Sequence, residues 1–193
     1  MKKKIGIKIS ILMVTVLIIL ALTDTQYFPA LLLSISIHEL GHILVAKLRH
    51  IELSAFNLGI FGAGLVPTGM LFSYTDEILL CLGGPLFNFL SAGLAIHIFK
   101  LSFDSLFVQA SFALGALNML PILGFDGGRI LYAILQKHLP QNISKLIMKS
   151  LSFTFIFSLW VFSLYVMIRV GASVGVYIFS ASMFTRIFLQ ERF

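Results

Sequence analysis

Six long apolar stretches, at about 5–22, 27–48, 78–99, 105–123, 147–170 and 172–189, limit what this chain can become before any single residue is weighed. Crossing about 30 Å of hydrocarbon as a helix takes about 20 predominantly apolar residues, and these stretches reach or approach that length. The other spanning structure, a closed barrel, needs period-two alternation, which the runs lack. Composition agrees: 59% of the 193 residues are hydrophobic and 11% charged, where a water-soluble domain carries about 25% charged residues. The expected fold class is an all-α membrane protein, a bundle of about six transmembrane helices forming a single domain over 1–193.

A formal net charge of +6 does not indicate a nucleic-acid partner, because the 14 Lys and Arg flank apolar runs rather than line a polar surface. Lys2, Lys3, Lys4 and Lys8 sit at the start of the first run, and Lys47 and Arg49 close the second. Arg129, Lys137, Lys145 and Lys149 lie between the fourth and fifth, and Arg186 and Arg192 end the chain. Six spans place all of these on one side and leave Lys100 and Arg169 opposite, so the rich side and both termini are expected to be cytoplasmic. The first run resembles a secretory signal peptide but lacks a convincing small-x-small cleavage site before Asp24, and is read as a span. Cys81 stands alone, which excludes an internal disulfide or a thiolate metal cluster. A compact chain of this kind suits a bacterial or archaeal plasma membrane.

Residues 51–75 interrupt the helical pattern with four glycines and β-compatible neighbours, as in Asn57-Leu58-Gly59-Ile60-Phe61-Gly62. The segment is expected either as a hairpin or short re-entrant β element dipping into the membrane, shielded by protein or a water-filled cavity, or as an interfacial loop.

Chemistry concentrates in the second run, at His38-Glu39-Leu40-Gly41-His42. Two histidines four apart on a helix share one face, about a turn from each other, and both imidazoles can reach one metal ion. Glu39 stands beside the first of them, where a carboxylate can take a proton from water activated by zinc. A carboxylate in an apolar span costs about 2.5–3.5 kcal/mol on insertion scales, which marks a functional site. A catalytic zinc takes three protein ligands and keeps an open position. His50, His97, His138, Glu52, Asp76, Glu77, Asp104 and Asp126 are the candidates for the third, and most lie at span ends where solvated roles suffice. Asp126 differs: in Asn118-Met119-Leu120-Pro121-Ile122-Leu123-Gly124-Phe125-Asp126-Gly127-Gly128, one proline and three glycines break the fourth span and aim a carboxylate from the break. It lies at a depth compatible with His38 and His42. His138 is expected in a solvated basic loop, His97 at the interface, and Cys81 as a packing residue.

The HELGH of His38–His42 and the segment from Asn118 ending in Asp126-Gly127-Gly128 resemble the two signature motifs of the site-2 protease family of intramembrane zinc metalloproteases. Gly83-Gly84-Pro85-Leu86-Phe87-Asn88 is similar to the family's GPxxN segment, and the order and spacing of all three fit. The likeness covers a catalytic core of about 27–131. Gly124-Phe125 stands where the family often has proline and leucine, and neither a PDZ-like insertion nor the CBS domain of the sporulation-type branch is visible. The resemblance implies one zinc held by His38, His42 and Asp126, with Glu39 as catalytic base. It places Asn88 near the active site and Asn118 as an assistant there, each able to hydrogen-bond substrate or to tie helices together. The implied partners are the lipid bilayer and a membrane-protein client cut in or near its transmembrane segment. A transporter would also bury ionisable groups, but it would not need HExxH with a distant Asp-Gly-Gly, and no repeated half-structure is evident in the sequence. A metal-binding scaffold that had lost proteolysis would show damage at Glu39 or a ligand, and none is present.

Overall fold

The computed structural model describes residues 6–9, 26–51, 53–59, 62–67 and 73–170. In chain order these form β1 (Gly6–Ile9), α1 (Tyr27–Leu48), β2 (Leu53–Gly59), β3 (Gly62–Pro67), α2 (Tyr74–His97), α3 (Leu106–Asn118), α4 (Asp126–His138) and α5 (Gln141–Val170). Among the described residues, three helices are long and apolar enough to cross a membrane: α1, α2 and the Gln141–Tyr165 part of α5. The expected sixth span at 172–189, and the expected first span beyond residue 9, lie outside the described residues.

The helices are inside-out by the standard of a soluble protein. The buried face of α1 carries Ser34, His38, Glu39, Gly41, His42 and Ala46, while Leu33, Leu40, Leu44 and Leu48 point outward. On α2, Gly83, Gly84, Pro85 and Asn88 are buried and Leu86, Leu90 and Leu94 are exposed. Small and polar residues between helices with large apolar ones outside is the arrangement a lipid solvent selects. Proline is tolerated in the first turn of α1, at Pro29, because the first amides of a helix have no partner to lose. Ser73 caps α2, its side chain accepting from the Asp76 amide at 3.1 Å.

Three sequence expectations are corrected. Gly6–Ile9, assigned to the start of the first span, is a strand lying parallel to β2, with Gly6 opposite Ala55 and Ile9 opposite Leu58. Alternation of Ile5, Ile7 and Ile9 with Gly6 and Lys8 favours that pairing. The fourth span, expected over 105–123, is a helix of only 13 residues, about 20 Å at 1.5 Å per residue. It stops before Pro121, and Gly124, at φ 102, turns the chain through a conformation a side chain would strain. The expected basic loop after it is α4, so Asp126 opens a helix rather than ending a span and His138 closes that helix. Between α1 and α2, β2 and β3 pair antiparallel with Gly59 opposite Gly62, and the sheet order is β1-β2-β3.

The segment between α3 and α4 is held firmly. Ile122 and Phe125 pack on Ile156 of α5 with Leu120, Phe155 and Leu159 around them, and the Leu123 amide donates to Ser152 Oγ at 2.8 Å. On the other side Ser34 of α1 meets Ser111 of α3, their hydroxyls 2.9 Å apart.

Candidate active site

The site begins where α1 crosses α2. A Cβ added at Gly41 would collide with the Gly83 main chain, and one added at Gly83 with the Gly41 main chain, so the two helices touch backbone to backbone. That approach carries the next residue, Gly84, against the imidazoles of His38 and His42. His42 is oriented from the same turn of α2: its Nδ1–H donates to the Leu80 carbonyl at 2.7 Å, which leaves the Nε2 lone pair for a ligand. Its Nε2 stands 3.1 Å from Nε2 of His38.

Asp126 arrives from α4. Its Oδ2 lies 3.0 Å from His38 Nε2 and 3.3 Å from His42 Nε2. Gly127 and Gly128 make the approach possible, since a Cβ on either would run into the carbonyls of Met119, Leu120 or Ile122.

Three buried donor atoms 3.0–3.3 Å apart, from two imidazoles and one carboxylate, fit a metal ion. A tetrahedral zinc with bonds of about 2.0–2.1 Å places its ligand atoms roughly 3.3 Å from one another. The fit rests on chemistry as well as distance, because two imidazoles and a carboxylate are the borderline ligands zinc accepts.

Residues 101–161, which include Asp126, match the profile of peptidase family M50. The resemblance to the site-2 proteases holds. The fold agrees with that of the site-2 protease from Methanocaldococcus jannaschii, with a TM-score of 0.71 at 23% identity, over 100% of this chain and 94% of that one. No curated protein sequence matches the chain. The profile match covers 61 of the 193 residues, and the likeness to the solved structure is one of fold.

Within this site-2 protease fold, Glu39 is buried on α1 directly after His38 and within electrostatic reach of His42. Asn88 is fully buried one turn beyond Gly84. Its Nδ2 donates to the Ser111 carbonyl at 3.3 Å, and its Oδ1 has no hydrogen-bond partner among the described residues. Asn118 is half-buried, and its amide donates at 3.0 Å to the Leu114 carbonyl of its own helix. The structure thus gathers His38, His42 and Asp126 with Glu39 alongside, keeps Asn88 on the helix that faces them, and turns Asn118 toward α3. Sequence reasoning missed the Leu80 carbonyl, which has no residue-type signal, and the contact made by Gly84, whose signal was only its place in Gly83-Gly84-Pro85.

Proposed function

We propose that the chain is a zinc-dependent endopeptidase that hydrolyses peptide bonds in or near the transmembrane segments of membrane-protein clients, the chemistry of regulated intramembrane proteolysis. The observation that carries this reading is the triangle of His38 Nε2, His42 Nε2 and Asp126 Oδ2, with sides of 3.0–3.3 Å, inside a helix assembly whose outward residues are apolar.

His38, His42 and Asp126 would hold one zinc. Zinc, when bound, supplies a Lewis acid that polarises a scissile carbonyl and lowers the pKa of water toward about 7. Glu39 takes the proton of the attacking water and returns one to the leaving amine, so it ends the cycle as it began. Leu80 keeps His42 in the tautomer that offers Nε2. Asn88, with a buried acceptor to spare, suits a hydrogen bond to a substrate backbone amide. Asn118 we assign to the end of α3, where its side chain already serves.

The finer topology belongs to the same proposal: six spans, both termini and the site on the cytoplasmic side of a prokaryotic plasma membrane, following the distribution of Lys and Arg. The sheet β1-β2-β3 would be the re-entrant element, with the outer edge of β3 offered to an extended client by strand addition.

The test is zinc content by elemental analysis of the detergent-purified protein beside Glu39→Gln and Asp126→Ala, each assayed on a transmembrane reporter. The expected result is about one zinc per wild-type chain, retained without cleavage in Glu39→Gln and lost with cleavage in Asp126→Ala. A wild type without zinc, or full zinc in Asp126→Ala, defeats the ligand set.

A further inference from the structure

Asp126 opens a helix whose next two residues lack side chains. Gly127 and Gly128 are pressed on the carbonyls of the preceding segment, so the first side chain of α4 after Asp126 that can fasten the helix elsewhere is Arg129. Its guanidinium reaches α2: Nε donates to Glu77 Oε1 at 2.9 Å and Nη2 stands 2.7 Å from the same oxygen. Both side chains are largely withdrawn from solvent, at 28% and 24% exposure. Cys81, a turn further along α2, lies under the pair with its Sγ 4.0 Å from Glu77 Oε1.

Three residues beyond Glu77 on α2 is Leu80, whose carbonyl orients His42. A single turn of α2 therefore holds both a histidine of α1 and the helix that carries the aspartate. We infer that the Glu77–Arg129 ion pair is a positioning device for the metal centre, registering Asp126 against His38 and His42, and that neither residue touches metal or substrate. The inference rests on the zinc reading above. Planar, two-donor contact by guanidinium fixes orientation as well as distance, which an ammonium would not. In a partly desolvated site such a pair is not the interchangeable surface contact that contributes almost nothing.

The experiment compares wild type, Arg129→Gln, Glu77→Ala, the double variant and Arg129→Lys as full-length proteins in detergent. Zinc affinity is read by chelator competition, the ligand field by cobalt absorption after metal exchange, and folding by thermal unfolding. Each single substitution is expected to weaken zinc affinity by about 10–100-fold, the usual range for residues that orient ligands, and to alter the cobalt spectrum. The double variant should be no weaker than the worse single by more than about threefold, because one interaction is removed only once. Arg129→Lys should fall between. Zinc affinity within about threefold of wild type in the single variants, with only the unfolding temperature lowered, would reduce the pair to a structural tie and overturn the inference. If Arg129→Gln does not accumulate, Arg129→Lys with unaltered affinity and spectrum overturns it equally. A wild type that binds no zinc would defeat the metal reading itself, whereas a zinc-loaded wild type beside unaffected variants defeats only the positioning role.

Discussion

Replacing Gly84 by alanine places a methyl group 2.5 Å from His42 Nε2 and 2.6 Å from both Cε1 and Nε2 of His38. Non-bonded carbon contacts settle at about 3.5 Å, so the rings would have to withdraw by roughly 0.9 Å. They are poorly placed to do so. His42 is tied through Nδ1 to the Leu80 carbonyl at 2.7 Å, and α1 and α2 already meet through Gly41 and Gly83. A metal site tolerates errors of about 0.2 Å in its bonds. We therefore expect Gly84→Ala to lose at least about 100-fold in zinc affinity, or about 2.7 kcal/mol, and to lose cleavage with it. Stability should fall by no more than about 2 kcal/mol, because alanine gains about 0.8–1.0 kcal/mol over glycine in a helix against about 1–3 kcal/mol for overpacking. Gly93, on the same helix, is the control: a Cβ there meets nothing within 4 Å, so Gly93→Ala should keep zinc and activity. The assay is chelator competition on both variants, with size-exclusion and circular dichroism to establish that each is folded. Wild-type zinc affinity and cleavage in folded Gly84→Ala would refute the argument that α2 forms the floor beneath the two imidazoles.

Two further substitutions probe how Asp126 is delivered. Gly128→Ala drives a Cβ into the Ile122 carbonyl, a main-chain atom in a segment pinned by Ser152; an overpacking cost of about 1–3 kcal/mol or more is expected, with zinc lost from whatever folds, measured by thermal unfolding and elemental analysis. Ser152→Ala removes the acceptor of the Leu123 amide and should cost about 1–3 kcal/mol for the group left unsatisfied, whereas Ser152→Thr should keep most of it in the same unfolding measurement.

The parts legible in the sequence were those that depend on neighbours a few residues away. His38 and His42 share a helix face by spacing alone, and the lengths of α1 and α2 follow from apolar runs that end at Arg49 and begin after the Ser73 cap. Asp126 was legible as a carboxylate at a broken span and through the family resemblance, but its meeting with the histidines is a tertiary event. What was missed depends on partners remote in sequence. Gly6–Ile9 becomes a strand because β2, near residue 55, lies beside it, and a short period-two pattern was submerged in a long apolar run. The first turn of α4 carries Gly127 and Gly128 directly after Asp126, poor helix formers that mask the start of a helix in the sequence; close approach to the Met119 and Ile122 carbonyls makes them necessary instead. Its stop signals were present, with Lys137 and His138 in the last turn and Pro140 just beyond.

The backbone contact between Gly41 and Gly83 bears on how the proposed zinc centre would behave when its ion is removed. In lipid no hydrophobic force presses helices together, and close packing of bare main chain is among the few forces that can. Here that seam is made by atoms that do not coordinate anything. Two of the three donor groups are thus kept in register by the crossing itself, with the Leu80 carbonyl setting the ring of His42. Small zinc modules collapse when stripped, because the ion is their core. On the zinc reading proposed above the order is reversed: a chain stripped by a chelator is expected to keep its helix crossing and to take the ion up again without refolding, which circular dichroism before and after stripping would check.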